Sequence, residues 1–345
     1  MKTIVFATTQ MNLINCVEYL YTINGDNLLV ILADSQSRQK QLESFLEKRA
    51  YRQMFSKVLY RYVTNNRFIN FISTCLFFIK LRYISSNNIF DKIITGNYKS
   101  YAPRFIFRLQ KQKVSNCQLI VCDDGLATNT IASMRLLEIK TRSPYMFFPN
   151  RLERFIYCKR KDQFIPDNIC YFTIYNIPLA DSDTKLINNY SYVKLNLSEF
   201  DVDKAKFDCS AIFLGQPLYC KGYMSVENYA KKLIHYAETV HGRIVYYAHP
   251  EEKKEIWDKL RLDGKYEYVN NSLPFEIIST FLPVGCRISG FMTSVLMNLK
   301  SINDSLIGEC IKIKSDDLLN KNVFGSLLEA YEHYKKNGIV FYEFD

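Results

Sequence analysis

The sequence is poor in the residues that build metal sites and disulfide frameworks. Its histidines number only four, and none of its ten cysteines forms a C-x-x-C pair. Most of the cysteines lie in apolar runs, which is typical of reduced thiols in a protein core; examples are Cys16, Cys75, Cys122, Cys286 and Cys310. We therefore expect a protein with neither disulfides nor a bound metal.

Long apolar runs, internal repeats and low-complexity segments are also missing. No run reaches the roughly 18 to 20 apolar residues that a spanning helix needs, and the nearest, 71–79, is closed by Lys80 and Arg82. The opening residues 1–7 carry one charge and soon meet polar residues, so they indicate a first strand rather than a signal peptide. These features favour a cytoplasmic protein.

What the chain does have is length, apolar residues and positive charge. Its 345 residues, 48% of them apolar, suffice for two domains. The net charge of +10 suits an anionic partner, and the basic residues concentrate in 104–113 and 151–161, both interleaved with aromatic residues. Three interpretations stay open: a solvated face, contact with an anionic membrane or lipid-linked acceptor, and nucleic-acid binding.

Short β-type runs alternate with amphipathic helical segments along most of the chain. The predicted strands are 3–7, 28–32, 57–60, 92–95 and 118–122, and the helices between them are 11–22, 37–49, 68–83 and 102–113. Turn-rich pieces occupy 144–207. Strands at 211–214, 244–248, 266–269, 287–289 and 307–313 then alternate with helices that begin near Ser225, Glu251, Pro274 and Thr293, and 323–337 is a terminal helix. This pattern predicts an α/β protein with parallel sheets covered on both faces.

Three turns, each after a predicted strand, hold candidate functional groups: Asp123-Asp124-Gly125, His249-Pro250 and Thr293-Ser294. Taken singly, each has a structural explanation as a turn, a hydrogen-bonded histidine or a helix cap. Taken together, they lie at strand carboxyl ends, where open α/β sheets bind ligands. A carboxylate can take a proton, a histidine can protonate a leaving phosphate, and hydroxyls beside a helix amino end can hold that phosphate.

These motifs resemble the marks shared by the bacterial GT-B-type sialyltransferases, the family 52-like group that includes lipooligosaccharide sialyltransferases and capsule polysialyltransferases. Further similar stretches are Phe213-Leu214-Gly215-Gln216-Pro217, Leu273-Pro274-Phe275-Glu276 and Thr8-Thr9-Gln10-Met11-Asn12. The resemblance implies a GT-B fold: two facing Rossmann-like doubly wound domains with a cleft between them. We expect an acceptor-side domain at 1–190, a linker at 191–207 and a CMP-sugar-binding domain at 208–345.

The resemblance also implies an activity: inverting transfer of sialic acid from CMP-sialic acid to a hydroxyl of a bacterial lipooligosaccharide, O-antigen or capsule, without an essential metal or other cofactor. It makes Asp123 the general base and directs His249 to the departing CMP phosphate. Thr293 and Ser294 would hold that phosphate, Gly215 and Gln216 would lie along the nucleotide, and Glu276 would bind the ribose, while Asp124, Gly125, Thr9 and Gln10 would lie on the acceptor side. The pair reads Thr-Ser here, which leaves open the hydroxyl that binds the phosphate.

Two alternatives remain. The same scaffold could use another nonulosonic acid, such as CMP-pseudaminic or CMP-legionaminic acid, or a UDP-hexose. A non-catalytic nucleotide- or nucleic-acid-binding module is the other alternative. Two features weigh against this module. The sequence has no recognised nucleic-acid motif, and the adjacent Asp123 and Asp124 would repel a phosphate backbone. The expected partners are a CMP-sugar donor and a lipid-linked glycan acceptor, with peripheral contact to the cytoplasmic face of the inner membrane through the basic stretches.

Overall fold

The chain divides into two compact units, unit 1 at Met1–Phe200 and unit 2 at Asp201–Asp345. The computed structural model describes residues 1–61, 63, 66–98, 100–125, 127–142, 165–252, 254–260, 264–269 and 273–344. The boundary between the units falls inside 191–207, and the part of that stretch before Asp201 packs with unit 1. Both units are parallel sheets with helices, so the predicted α/β class is confirmed.

Unit 1 is built on a seven-stranded parallel sheet with the order β3-β2-β1-β4-β5-β6-β7. The strands are β1 Lys2–Ala7, β2 Asp26–Ile31, β3 Lys57–Tyr60, β4 Lys92–Thr95, β5 Gln118–Cys122, β6 Cys170–Thr173 and β7 Thr184–Ile187. After an exposed first residue, β1 and β2 are buried throughout, as strands covered on both faces must be. The strand order reverses between β1 and β4, which is where such sheets form a ligand-binding crevice.

No strand is predicted between 118–122 and the second domain, and this is wrong, because β6 and β7 follow β5 in unit 1. Both lie in the turn-rich region 144–207. The edge strand β7 leaves Leu186 and Ile187 exposed and has no buried apolar run, so its sequence gives little strand signal. Unit 1 therefore extends its sheet beyond the Asp123 turn.

The helices of unit 1 begin and end close to the predicted bounds where their faces are amphipathic. They are α1 Gln10–Tyr21, α2 Gln36–Leu46, α3 Arg49–Arg52, α4 Arg67–Asn87, α5 Tyr101–Lys111, α6 Ala127–Thr141 and α7 Ser191–Leu195. No helix is predicted at α6, because its buried face includes two charged residues. Arg135 pairs with Asp183 at 3.3 Å and Glu138 pairs with Arg104 at 3.5 Å, all buried. Because charged residues occupy part of the buried face, the apolar residues of α6 do not show a clear helical spacing in the sequence.

Unit 2 repeats the same plan with six parallel strands in the order β10-β9-β8-β11-β12-β13. The strands are β8 Ala211–Leu214, β9 Ile244–Tyr247, β10 Tyr266–Val269, β11 Arg287–Gly290, β12 Ile307–Ile311 and β13 Val340–Tyr342. Numbered within the unit, this is the Rossmann order 3-2-1-4-5-6, whose switch point lies between β8 and β11.

The helices of unit 2 follow the predicted caps with one exception. They are α8 Val226–Glu238, α9 Lys254–Leu260, α10 Phe275–Ser279, α11 Ser294–Ile302 and α12 Phe324–Lys336. The hydroxyl of Ser225 accepts the N–H of Asn228 at 3.1 Å and caps α8 as predicted. The helix predicted to begin at Glu251 begins at Lys254 instead, because the Glu252 N–H donates to the His249 carbonyl in a turn that precedes the helix.

Candidate active-site residues in the two units

Asp123, directly after β5, is a buried carboxyl with one oxygen engaged. Its side chain is 2% exposed, and Oδ2 accepts the N–H of Ile174 at 2.9 Å. Oδ1 is buried and accepts no hydrogen bond with normal geometry from the described residues. Burial raises the pKa of Asp123 to about 7, against the opposing influence of the Thr173 hydroxyl and the Ile174 N–H. A carboxyl that titrates near neutral pH suits a proton acceptor.

Asp124, the next residue, is half-buried and has a different environment. Its Oδ1 accepts the Nδ2 N–H of Asn12 at 2.9 Å, and Asn12 Oδ1 in turn accepts the Thr8 hydroxyl. Gly96, after β4, leaves room for this link, since a Cβ there would lie 2.5 Å from Asn12 Cγ. Asn12 therefore ties the turn after β1 to the turn after β5 across the switch point, a contact that the sequence does not reveal.

The other predicted acceptor-side residues lie at the same sheet edge. Thr9 caps α1 by accepting the N–H of Asn12 at 3.2 Å. Gln10 begins α1, and its Nε2 donates to the carbonyl of Gln41 at 3.0 Å, so its amide binds α2. Gly125 has a φ of 60°, which favours glycine in the turn after Asp124. The structure thus brings Thr9, Gln10, Asp124 and Gly125 to the carboxyl edge of the sheet of unit 1.

In unit 2, His249 follows β9 and is half-buried. Its Nδ1 accepts the N–H of Glu251 at 3.1 Å. An accepting Nδ1 has no proton, so the neutral imidazole carries its proton on Nε2, as assigned from this hydrogen bond. The His249 N–H donates to Glu252 Oε2 at 2.8 Å. The backbone thus selects the tautomer whose Nε2–H can donate to an anion.

A half-buried carboxyl group, that of Glu252, supports the turn that carries His249. Its Oε1 accepts the hydroxyls of Tyr246 at 2.6 Å and Tyr229 at 3.1 Å, and burial raises its pKa. Gly215, after β8, allows this arrangement, because a Cβ there would lie 2.9 Å from both Glu252 Cδ and the Tyr246 hydroxyl. Glu252 is not among the predicted site residues, since within its run of charged residues nothing distinguishes it.

Gln216 joins the turn after β8 to the turn after β11. Its Oε1 accepts the N–H groups of Phe291 at 2.9 Å and Met292 at 2.7 Å, and its Nε2 donates to the Met292 carbonyl. These bonds cross the switch point of unit 2 and fix the loop that leads into α11. Gln216 therefore shapes the loop before Thr293 and Ser294.

Thr293 and Ser294 stand at the amino end of α11. The Thr293 hydroxyl accepts the N–H of Val295 at 3.3 Å as the helix cap. The Tyr334 hydroxyl accepts the Thr293 N–H at 2.8 Å and donates to its carbonyl at 2.7 Å. Ser294 is the first residue of the helix and is half-buried. A helix amino end with two hydroxyls favours an anion such as phosphate.

Glu276, in the first turn of α10, is buried and linked to α11. Its Oε1 accepts the Nδ2 N–H of Asn298 at 3.0 Å, and burial raises its pKa. This hydrogen bond connects Glu276 to α11, the helix that also begins with Ser294.

The remaining predictions concern disulfides, metal binding and the two basic stretches. The nine cysteines in the described part of the chain are free thiols, and no group of three or more His, Cys, Asp or Glu there is placed to hold a metal. Of the basic stretch 104–113, Arg104 is buried beside Glu138 and its guanidinium stacks 4.7 Å from the Tyr98 ring centroid. The stretch 151–161 lies outside the described residues.

Comparison with solved structures identifies the class of fold. The chain is similar to the UDP-GlcNAc 2-epimerase of Methanocaldococcus jannaschii in complex with UDP-GlcNAc and UDP, with 13% identity, a TM-score of 0.53, and coverage of 96% of this chain and 92% of that one. It is also similar to Arabidopsis thaliana UGT89C1 complexed with UDP-L-rhamnose, with 12% identity, a TM-score of 0.52, and coverage of 99% and 85%. The two parallel α/β units and these likenesses establish the GT-B glycosyltransferase fold.

The family follows from the sequence itself. Residues 5–305 match the family model described as alpha-2,8-polysialyltransferase, and the chain belongs to that family. The matched range contains Asp123, His249, Thr293 and Ser294. No curated protein matches the chain significantly. The protein is a glycosyltransferase of the sialyltransferase type, as its motifs predict.

Proposed function

We propose that this protein transfers sialic acid from CMP-sialic acid, with inversion, to a hydroxyl of a bacterial surface glycan. The observation that carries the proposal is the buried Asp123 with a pKa raised to about 7, in a chain of the alpha-2,8-polysialyltransferase family. The family description makes an acceptor that ends in sialic acid the first to test. The acceptor would be a lipid-linked lipooligosaccharide, O-antigen or capsule glycan made in the cytoplasm, and no metal is required.

On the acceptor side, the ionised Asp123 removes the proton of the attacking hydroxyl. Oδ1 receives that proton, because Oδ2 accepts the N–H of Ile174. As the acceptor oxygen bonds to the anomeric carbon, the bond from that carbon to the phosphate oxygen breaks, and this single displacement inverts the configuration. Asp124, Thr9, Gln10 and Gly125 shape the acceptor side. Because CMP is a good leaving group, correct positioning of the acceptor and one general base supply most of the catalysis that this reaction needs.

On the donor side, the departing CMP phosphate gains negative charge and needs hydrogen-bond donors. The Nε2–H of His249 is one, since Nδ1 accepts the Glu251 N–H. Ser294 is the second in this proposal, and the Thr293 hydroxyl beside it accepts a backbone N–H as the cap of α11. Glu276 accepts the ribose hydroxyls, and Gly215 and Gln216 shape the nucleotide-binding loops. Donors aimed at developing charge act mainly in the transition state.

Replacing His249 by alanine tests this assignment. We expect His249→Ala to lower kcat by about 10²-fold to 10⁴-fold while the Kd for CMP changes only a few-fold, because the lost hydrogen bond strengthens as charge develops. Single-turnover kinetics measure the first quantity and calorimetric titration the second.

His241→Ala is the matched control, since His241 is exposed at the loop before β9 in the same unit. The control should retain wild-type turnover and CMP affinity. A His249→Ala enzyme that keeps near-normal kcat would return His249 to a structural role.

A further inference from the structure

Helix α4 exposes a continuous apolar stripe. Five large side chains with helical spacing form it and have the following exposed fractions: Phe68 72%, Ile72 42%, Leu76 62%, Ile79 60% and Tyr83 70%. At about 100° per residue these positions fall on one face of the helix. Ile69 and Phe71, also more than half exposed, flank the stripe. An exposed apolar surface of this size marks an interaction site.

The opposite face of α4 fixes the helix on unit 1. Phe77, Phe78 and Leu81 are buried, and Gln110 of α5 donates to the Ser85 carbonyl at 2.7 Å. Among the described residues, Phe68–Asn87 is long and apolar enough to cross a membrane by length and composition. However, α4 connects β3 and β4, two parallel strands of one sheet, and its buried face holds it there. It can lie on a membrane surface without leaving the fold.

The segment of the chain that contains α4 carries almost only positive charge. Residues 48–122 contain fourteen lysines and arginines against a single carboxylate, Asp91, a net charge of +13; since the whole chain carries +10, the rest is net −3. Neither α4 nor α5 contains an Asp or Glu. The exposed Lys80 and Arg82 lie on either side of the stripe by helical geometry. A second copy of this surface would bring like charges together, whereas an anionic bilayer complements it.

We propose that α4 lies in the headgroup region of an anionic phospholipid membrane, with the stripe of Phe68, Ile72, Leu76, Ile79 and Tyr83 in the acyl boundary and Lys80 and Arg82 on lipid phosphates. This surface differs from the basic stretch 104–113, whose Arg104 is buried. The inference goes beyond the proposed transfer and does not depend on it, because binding to lipid needs neither donor nor acceptor.

Vesicle co-sedimentation tests this surface with the full chain and no substrate. Wild-type protein should bind vesicles of phosphatidylethanolamine with phosphatidylglycerol, and binding should fall with added salt and with pure phosphatidylcholine vesicles. The double variant Leu76→Glu/Ile79→Glu should bind at least about tenfold more weakly, because it places charge where two apolar side chains enter the acyl boundary.

The matched control is Leu319→Glu/Ile187→Glu, which changes one leucine 69% exposed and one isoleucine 65% exposed, both outside α4. It should bind like the wild type. Equal binding by the two double variants would overturn the proposal, and so would a wild-type protein that ignores vesicles but loses a dimeric state on Leu76→Glu/Ile79→Glu.

A fluorescence measurement keeps the test valid if the charged variant unfolds. The chain has a single tryptophan, Trp257, which is buried in unit 2. In Leu76→Trp, brominated anionic lipid should quench the added emission and leave that of Trp257. Emission from Leu76→Trp that brominated lipid leaves unchanged would contradict the placement of α4 in the membrane.

Discussion

Asp123 and Asp124 are neighbours in sequence with different physical roles. Asp123 is buried, with its pKa raised to about 7, whereas Asp124 is half-buried and accepts a hydrogen bond from Asn12. The alternation of strands and helices predicts that both lie at a strand end. It does not predict which is buried, because that depends on Thr173, which ends β6, and on Ile174, which follows it, and both are distant in sequence.

The raised pKa of Asp123 makes a prediction about stability. In the unfolded chain the pKa is about 3.9, so the folded state holds the proton more tightly. The stabilising protonated form is fully present below about pH 4 and is lost as the pH rises through about 7. Asp123→Asn should therefore stabilise unit 1 relative to wild type by an amount that grows with pH, of the order of 4 kcal/mol between about pH 4 and pH 8.

Urea unfolding at several pH values measures this difference, and turnover measured in parallel should be lost in Asp123→Asn. Asp124→Asn is the control and should show no comparable gain at high pH. If the stability difference between Asp123→Asn and wild type stays constant with pH, the carboxyl of Asp123 does not titrate near neutrality.

The contacts of Gln216 and Glu252 show what sequence reasoning misses at this scale. Gln216 is predicted as a nucleotide-binding residue, but its amide oxygen accepts the N–H groups of Phe291 and Met292. Glu252 meets Tyr229, which lies on α8, the preceding helix. Both contacts depend on which strands are neighbours, and a single sequence does not specify the order of strands.

At the scale of elements, each unit has an amide side chain that crosses its switch point. Asn12 joins the turns after β1 and β5, and Gln216 joins those after β8 and β11. Glycines leave room for polar side chains at one strand end in each unit: Gly96, after β4, beside Asn12, and Gly215, after β8, beside Glu252. Close approach of a polar side chain to the backbone therefore requires glycine at these two strand ends.

The requirement for glycine predicts that adding one methyl group at Gly215 is harmful. Gly215→Ala should destabilise unit 2 by about 1 to 3 kcal/mol and weaken CMP binding, because the added Cβ collides with the Glu252 carboxylate and the Tyr246 hydroxyl. Gly325→Ala is the control: it lies in α12 with open space around its Cβ position, and alanine favours a helix. Thermal unfolding and calorimetric titration with CMP compare the two, and equal effects would contradict the packing argument.

Elements with a clear apolar pattern were predictable, and those stabilised by distant polar pairs were not. The strands at 92–95, 118–122 and 211–214 have the predicted bounds, because their residues form short apolar runs in a covered sheet. Helix α6 and the strands β6, β7 and β13 are not among the predicted elements. The pairs of Arg135 with Asp183 and of Glu138 with Arg104 connect α6 to residues far away in the chain.

At the scale of the whole molecule, composition predicts an anionic partner but not where it binds. The net charge of +10 arises from 48–122 within unit 1, and part of that charge, such as Arg104, is buried. The apolar stripe of α4 lies in the same region. The sequence gives the charge of each residue, but only the fold shows which charged and apolar residues are exposed. Both are needed to propose a surface that binds a membrane.

The central claim is the transfer of sialic acid from a CMP-linked donor, and a donor screen tests it most directly. The purified protein is incubated with an acceptor that ends in sialic acid and, in turn, CMP-sialic acid, CMP-pseudaminic acid, CMP-legionaminic acid and UDP-hexoses. Released nucleotide and the anomeric configuration of the product are measured. We predict acceptor-dependent release of CMP from CMP-sialic acid, an inverted product, and loss of both in Asp123→Asn; release of UDP without release of CMP would contradict the claim.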